Sequence, residues 1–90
     1  MIILKDSLFH KQLFEILKFI AKDKPKATKK FEQKLNQQIN DLPNNPFKFR
    51  QSHYFEDVAY RDMVYQGYTI VYKVETERIL ILEIFKWQNR

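Results

Sequence analysis

Residues 58–85 read VAYRDMVYQGYTIVYKVETERILILEIF, and the period of this stretch decides the fold. Ala59, Arg61, Met63 and Tyr65 alternate with Val58, Tyr60, Asp62 and Val64, the two-residue period of a strand. Gln66-Gly67 interrupts it, and Gly67, the one glycine of the chain, falls where a hairpin needs a positive φ. Tyr68 to Val74 then reads as a strand, Glu75-Thr76-Glu77 as a turn and Arg78 to Phe85 as the last strand. Ile79, Leu80, Ile81 and Leu82 are apolar on both faces, which predicts a strand inside the sheet rather than at its edge. Just upstream, Phe47, Phe49 and Gln51 alternate with Lys48, Arg50 and Ser52, the pattern of a short edge strand.

Before Pro46 the period becomes helical. Phe9, Leu13, Ile16, Leu17 and Ile20 recur at helical spacing over Leu8 to Ala21, after Asp6-Ser7, either of which can cap. Leu8, Phe14 and Phe19 widen that stripe, so this helix is expected to be covered on more than one side. Lys22-Asp23-Lys24-Pro25 is a tight break, with Pro25 suited to the first turn of a second helix. That helix runs from about Pro25 to Leu42, with the narrow stripe Ala27, Phe31, Leu35, Ile39 and Leu42, and Pro43-Asn44-Asn45-Pro46 ends it. Two helices joined by so short a turn are antiparallel neighbours. Ile2-Ile3-Leu4 adds a strand at the start. The expected fold is α+β, β-α-α-β-β-β-β, in two layers: an antiparallel helical hairpin on one face of a mainly antiparallel sheet. The first strand then lies parallel beside the last, through a right-handed crossover.

Ninety residues have room for one core, so residues 1–90 are expected to form a single domain. The absence of Cys excludes disulfides, Cys-ligated zinc and thiol catalysis, and one Gly excludes a Gly-rich phosphate loop. No run approaches the roughly 20 apolar residues of a membrane span. The start lacks a basic n-region, so a soluble cytoplasmic protein is expected, with no membrane partner. The net charge of +5 is uneven: residues 1–50 carry eleven basic and five acidic side chains, and residues 51–90 carry five and six. The excess sits at Lys18, Lys22, Lys24, Lys26, Lys29, Lys30 and Lys34. Read plainly this is a solvated helical face; read functionally it is a docking surface for an acidic partner. Lys in place of Arg argues against bidentate phosphate recognition, and direct nucleic-acid binding is left open.

The order of elements resembles the RelE/ParE superfamily of bacterial type II toxins. The resemblance covers nearly the whole chain. It rests on Ile16 to Ala21 running into Lys22-Asp23-Lys24-Pro25-Lys26-Ala27, then on Phe31, Leu35, Ile39, Leu42 and Pro46. Arg61-Asp62-Met63, Gly67-Tyr68-Thr69-Ile70-Val71-Tyr72 and Ile79-Leu80-Ile81-Leu82 continue it. The long hairpin is closer to the ParE branch. The resemblance implies a growth-inhibiting toxin, of the kind associated with plasmid stabilisation, held inactive by a cognate antitoxin in a hetero-oligomer. ParE-like members are associated with poisoning DNA gyrase, and RelE-like members cleave messenger RNA on the ribosome. A third expectation is a non-toxic member that only binds a partner.

The ribonuclease branch carries Lys before the Gly-Tyr turn, Arg just after it, and basic and Tyr or His residues past the last strand. Here Thr69 follows Gly67-Tyr68, Tyr60 and Asp62 stand on the preceding strand, and Lys86, Trp87 and Arg90 follow the last one. That pattern leans away from an enzyme. If there is ribonuclease chemistry, Arg61, Lys86 and Arg90 are its candidates; target contact is assigned to Arg50, Arg61, Lys86, Trp87 and Arg90. Antitoxin contact is assigned to Lys18, Lys22, Lys26, Lys29, Lys30 and Lys34. Alternation leaves open which sheet face Arg61 occupies, and pairing with a carboxylate such as Glu83 is the plainer reading. Tyr60, Tyr65, Tyr68 and Tyr72 are expected in the core rather than as a base-stacking platform. His10 and His53 have no partner at metal spacing, Glu56-Asp57 falls in a turn, and no metal or cofactor is expected.

Overall fold

The computed structural model describes residues 1–86. Its elements are β1 (Ile2–Lys5), α1 (Ser7–Asp23), α2 (Pro25–Asp41), a 3-10 turn (Leu42–Asn44), β2 (Arg50–Gln51), β3 (Tyr60–Tyr65), β4 (Tyr68–Val74) and β5 (Arg78–Lys86). The sheet order is β1-β5-β4-β3-β2, with β1 parallel to β5 and every other pair antiparallel. No described helix is long and apolar enough to cross a membrane.

Local chemistry explains the boundaries. Asp6 caps α1, its carboxylate accepting from the Leu8 N–H at 3.1 Å. Lys24 alone separates the helices: it ends α1 with its N–H on the Ile20 carbonyl, and Pro25 opens α2 without losing a needed donor. Gln66 and Gly67 both have positive φ, 49° and 84°, the mirror-image turn that suits strand twist. Space around Gly67 is open, so only its backbone conformation resists a side chain. Gly67→Ala should therefore cost about 1 kcal/mol in urea unfolding, without altering the core.

Paired residues share a face of the sheet, so the core can be read from the register. Met63, Ile70 and Ile84 form one buried row under the helices, and Tyr65 pairs with Tyr68 in the next. Along β5 the pairing shifts: Val71 faces Glu83 but Tyr72 faces Ile81, leaving Leu82 as the extra residue of a bulge. That shift brings Ile79, Ile81 and Ile84 to the same buried side despite their odd and even numbers. Phe9 and Leu13 of α1, and Phe31, Leu35 and Ile39 of α2, close the core from above. The Tyr65 hydroxyl donates to the Phe31 carbonyl at 3.0 Å and seats α2 over the β3–β4 hairpin.

The structure departs from the sequence pattern in four places. Leu8, Phe14 and Phe19 are 45%, 64% and 65% exposed, so α1 is covered on one side, not on several. Ala27 is exposed, because the stripe of α2 reaches the sheet only from Phe31 onward. β2 keeps two residues of the expected run from Phe47; Asn45 accepts from the Lys48 N–H, and the chain turns there rather than extending. β3 begins at Tyr60, because Asp57 accepts from the Ala59 N–H at 2.8 Å and from the Tyr60 N–H, closing a turn over Val58.

Tyr72 is fully buried, and its hydroxyl donates to the Pro46 carbonyl at 2.7 Å, tying the sheet to the end of the helical hairpin. Burial pushes this hydroxyl up to about 12, against the lowering influence of the Arg61 guanidinium. The unfolded chain loses the proton near the ordinary value of 10.0 while the folded chain keeps it. Stability is thus intact below pH 10 and falls as pH rises toward 12, by at most about 1.4 kcal/mol per unit. Tyr72→Phe should flatten this part of the alkaline profile and cost about 1 kcal/mol at neutral pH, checked by urea titrations at pH 7 to 12.

Candidate functional site

The two sheet faces are built differently. Arg61 lies in the row of Gln51 and Tyr72, the helix-covered side, while Asp62 lies with Arg50, Val71 and Glu83 on the other. Arg61 and Glu83 thus stand on opposite faces, and the expected pairing of the two is excluded by register. The Arg61 guanidinium instead donates to the carbonyls of Val58 (3.0 Å) and Phe49 (3.2 Å) and covers the Phe47 ring at 4.7 Å. It clamps the turn before β2 to the turn before β3.

The outer face is roofed by residues 52–58. Ser52 N–H continues the β2 ladder onto the Tyr60 carbonyl, Tyr54 meets Phe85 edge-on at 5.3 Å, and Phe55 stacks on Tyr60 at 4.3 Å. Asp62 anchors this roof. It is fully buried, and its Oδ2 accepts from the His53 N–H at 3.0 Å and faces Arg50 at 3.6 Å. Thr69, one row along the same face, is also fully buried, and Thr69 Oγ1 and Asp62 Oδ1 have no hydrogen-bond partner among the described residues. The position after the Gly-Tyr turn is thus interior, with no cation on it. Tyr65, Tyr68 and Tyr72 are buried and Tyr60 is half-buried under Phe55, so none forms a stacking platform. His10 and His53 are exposed, and the described residues hold no cluster that could take a metal.

The cations assigned from sequence do not gather at one place. Arg50 is on the outer face at the β2 edge, Arg61 is under the hairpin at the same edge, and Lys86 ends β5 opposite Tyr68. Four residue steps along β4 separate the Tyr72 and Tyr68 rows, roughly 13 Å at strand rise. Trp87 and Arg90 lie outside the described residues.

Two concavities meet at Lys86 and Tyr68. The first, about 480 Å³, lies between α1 and the end of β5, with Leu8, Ile16, Phe19 and Ile84 in its wall. Lys86 sits 5.9 Å from the Phe19 ring. The second, about 540 Å³, lies between α2 and the β3–β4 turn. Lys24, Lys30, Lys34 and Lys86 surround it, Phe31 and Tyr68 lie between them, and among the described residues no carboxylate lines it. Lys18, Lys22, Lys26 and Lys29 are exposed on the hairpin but outside this cavity. Sequence reading placed Lys24, Lys30 and Lys34 in one patch, gave antitoxin contact to Lys30 and Lys34 but not Lys24, and missed Lys86 as their neighbour. The only signal for Lys86 was the parallel placement of strands that returns β5 under α1. Together the concavities form a groove with an apolar half and a cationic half, suited to a partner segment with the opposite charge.

The chain matches over residues 3–88 a family model described as "ParE toxin of type II toxin-antitoxin system, parDE". A solved structure described as "Chromosomal ParDE TA system from P. aeruginosa" superposes with a TM-score of 0.79. It is 20% identical in sequence, over 96% of this chain and 95% of that one, a likeness of fold. No curated protein matches.

Proposed function

The chain belongs to the ParE toxin family of type II toxin–antitoxin systems, and from that premise we propose that it arrests growth by binding DNA gyrase in the cytoplasm. A cognate antitoxin neutralises it by docking on the helical hairpin. Residues 1–90 act as a single toxin domain that works by contact, without a catalytic centre of its own.

The observation that carries this reading is the separation of Arg61 from Lys86, the two described candidates for ribonuclease chemistry. An RNA-cleaving site needs positive groups converging on one phosphate and a group that activates the 2′-hydroxyl. Here Arg61 is committed to two carbonyls and a ring, Lys86 stands at the far end of the sheet, and Thr69 is interior. Arg50 and Lys86, with Trp87 and Arg90, are left to meet the target, and Arg61 supports them by holding the turn around Phe47. On the antitoxin side, carboxylates meet Lys18, Lys22, Lys26, Lys29, Lys30 and Lys34. Lys30 and Lys34, which share a cavity with Lys24 and Lys86, contribute most.

Purified toxin should inhibit gyrase supercoiling and leave messenger RNA intact on programmed ribosomes. Cleavage in the ribosomal A site with supercoiling unaffected would replace this reading with the ribonuclease one. Induced expression that leaves growth unchanged would favour a non-toxic binding module.

A further inference from the structure

β1 closes one side of the sheet, and its far edge meets no strand among the described residues. The Ile2 N–H meets the Glu77 carbonyl at 3.0 Å and the Asp6 N–H meets the Ile81 carbonyl at 2.9 Å. Backbone groups of a strand change sides at each residue, so Leu4 also faces β5, and the N–H and carbonyl of Ile3 and Lys5 point outward. Side chains alternate as well. Ile3 and Lys5 share the helix side with Ile79 and Ile81, while Ile2 and Leu4 stand on the outer face, 65% and 43% exposed. Natural edge strands are commonly blocked by a proline, a bulge or an outward charge, and Ile2-Ile3-Leu4 has none of these.

We propose that this edge pairs with the same edge of a second copy, antiparallel about a two-fold axis, so that the two sheets become one. Outward bonds come from Ile3 and Lys5, so the axis falls on Ile3, Leu4 or Lys5. With Leu4 on the axis, Ile2 meets Asp6 and Ile3 meets Lys5; with Lys5 on it, two lysines face each other. With Ile3 on the axis, the two Ile3 residues exchange both main-chain bonds, and Ile2 of each copy faces Leu4 of the other. The exposed apolar side chains of both edges then cover one another. Lys5 falls opposite Met1, next to the other copy's Glu77, a cation toward a carboxylate. The net charge of +5 does not oppose this arrangement. Lys86 and the lysine cavity lie at the far end of β5 from Ile79, roughly 20 Å away at strand rise. An antiparallel partner points its own cavity the opposite way, so the two cationic ends stand several screening lengths of about 10 Å apart. Both cavities stay open, and the pairing stands whether or not gyrase is the target.

A four-residue edge covers less than a standard interface, so sedimentation equilibrium should show a dimer that dissociates on the order of 10–100 μM. Leu4→Lys should weaken it about tenfold or more and leave the urea midpoint of the monomer unchanged. The chain has no cysteine, so introduced ones report the register. A mixture of Ile2→Cys and Leu4→Cys proteins should cross-link on oxidation, because facing residues on adjacent strands bring their Cβ atoms to about 4.5–5.5 Å. Neither variant alone should do so. Self-cross-linking of Leu4→Cys without the mixed product overturns the Ile3 axis. A chain that stays monomeric at about 1 mM, or a dimer that Leu4→Lys does not weaken, overturns the pairing. Ile3 and Lys5 amides protected from exchange only after antitoxin is added overturn the assignment by giving the edge to the antitoxin.

Discussion

Reversing Lys24, Lys30, Lys34 and Lys86 to Glu is expected to weaken the antitoxin complex about 100- to 1,000-fold at low salt, read by titration calorimetry. An exposed ion pair contributes about 0.2–1 kcal/mol, and reversal both removes the attraction and installs a repulsion. Four such sites around one cavity therefore amount to about 3–4 kcal/mol, or two to three decades in affinity. The control is the same charge change at Lys18, Lys22, Lys26 and Lys29, which lie on the hairpin but outside the cavity. Those four should cost about tenfold or less, because an ion pair on an open, fully solvated helix face contributes little and is screened by salt. Raising the salt should shrink the first effect and nearly erase the second. Equal losses from both quartets would mean that the overall field, not the cavity, attracts the partner. No loss from either would mean that the lysines are a solvated face.

The contrast between those quartets marks where sequence stops being informative. β4 was legible residue for residue because Tyr68–Val74 is bounded by a glycine turn and an acidic one, and both turns have local causes. The parallel β1–β5 pair was legible too, since an αα-hairpin between strands leaves few other routes back to the sheet. Three things were not legible. The face of Arg61 depends on a register that sequence period cannot count, and the β5 bulge at Leu82 shows how one extra residue changes that count. The roof of residues 52–58 is held by long-range contacts, Asp62 to the His53 N–H and Tyr54 against Phe85, which leave no periodic trace. The cationic cavity joins Lys24, Lys30, Lys34 and Lys86 from three parts of the chain. Charge counting found the patch along the hairpin, and only the fold brought Lys86 under it.

The second large effect separates two phenylalanines of α1 that were both expected to be covered. Phe9 lies on the main apolar stripe and Phe19 on its widened flank, and Phe9 is fully buried in the core while Phe19 is 65% exposed beside the groove. Phe9→Ala should cost about 3–5 kcal/mol, the loss of a buried ring plus the cavity it leaves. Domains of this size have only about 5–15 kcal/mol in total, so the free variant should be largely unfolded or close to it in urea titration. Phe19→Ala should lose less than about 1 kcal/mol, since most of its ring already meets water and its Lys86 contact is long. Binding reverses the ranking. A partner present at 1,000 times its dissociation constant stabilises the folded toxin by about 4 kcal/mol, enough to offset most of the Phe9 cavity. Phe9→Ala should therefore accumulate when co-expressed with antitoxin and be lost when expressed alone. Phe19→Ala should be stable alone and release the antitoxin more readily. If instead Phe19→Ala unfolds the free toxin, the apolar groove is part of the core rather than a docking surface. If Phe9→Ala is not recovered by antitoxin, the partner does not read the folded hairpin at all.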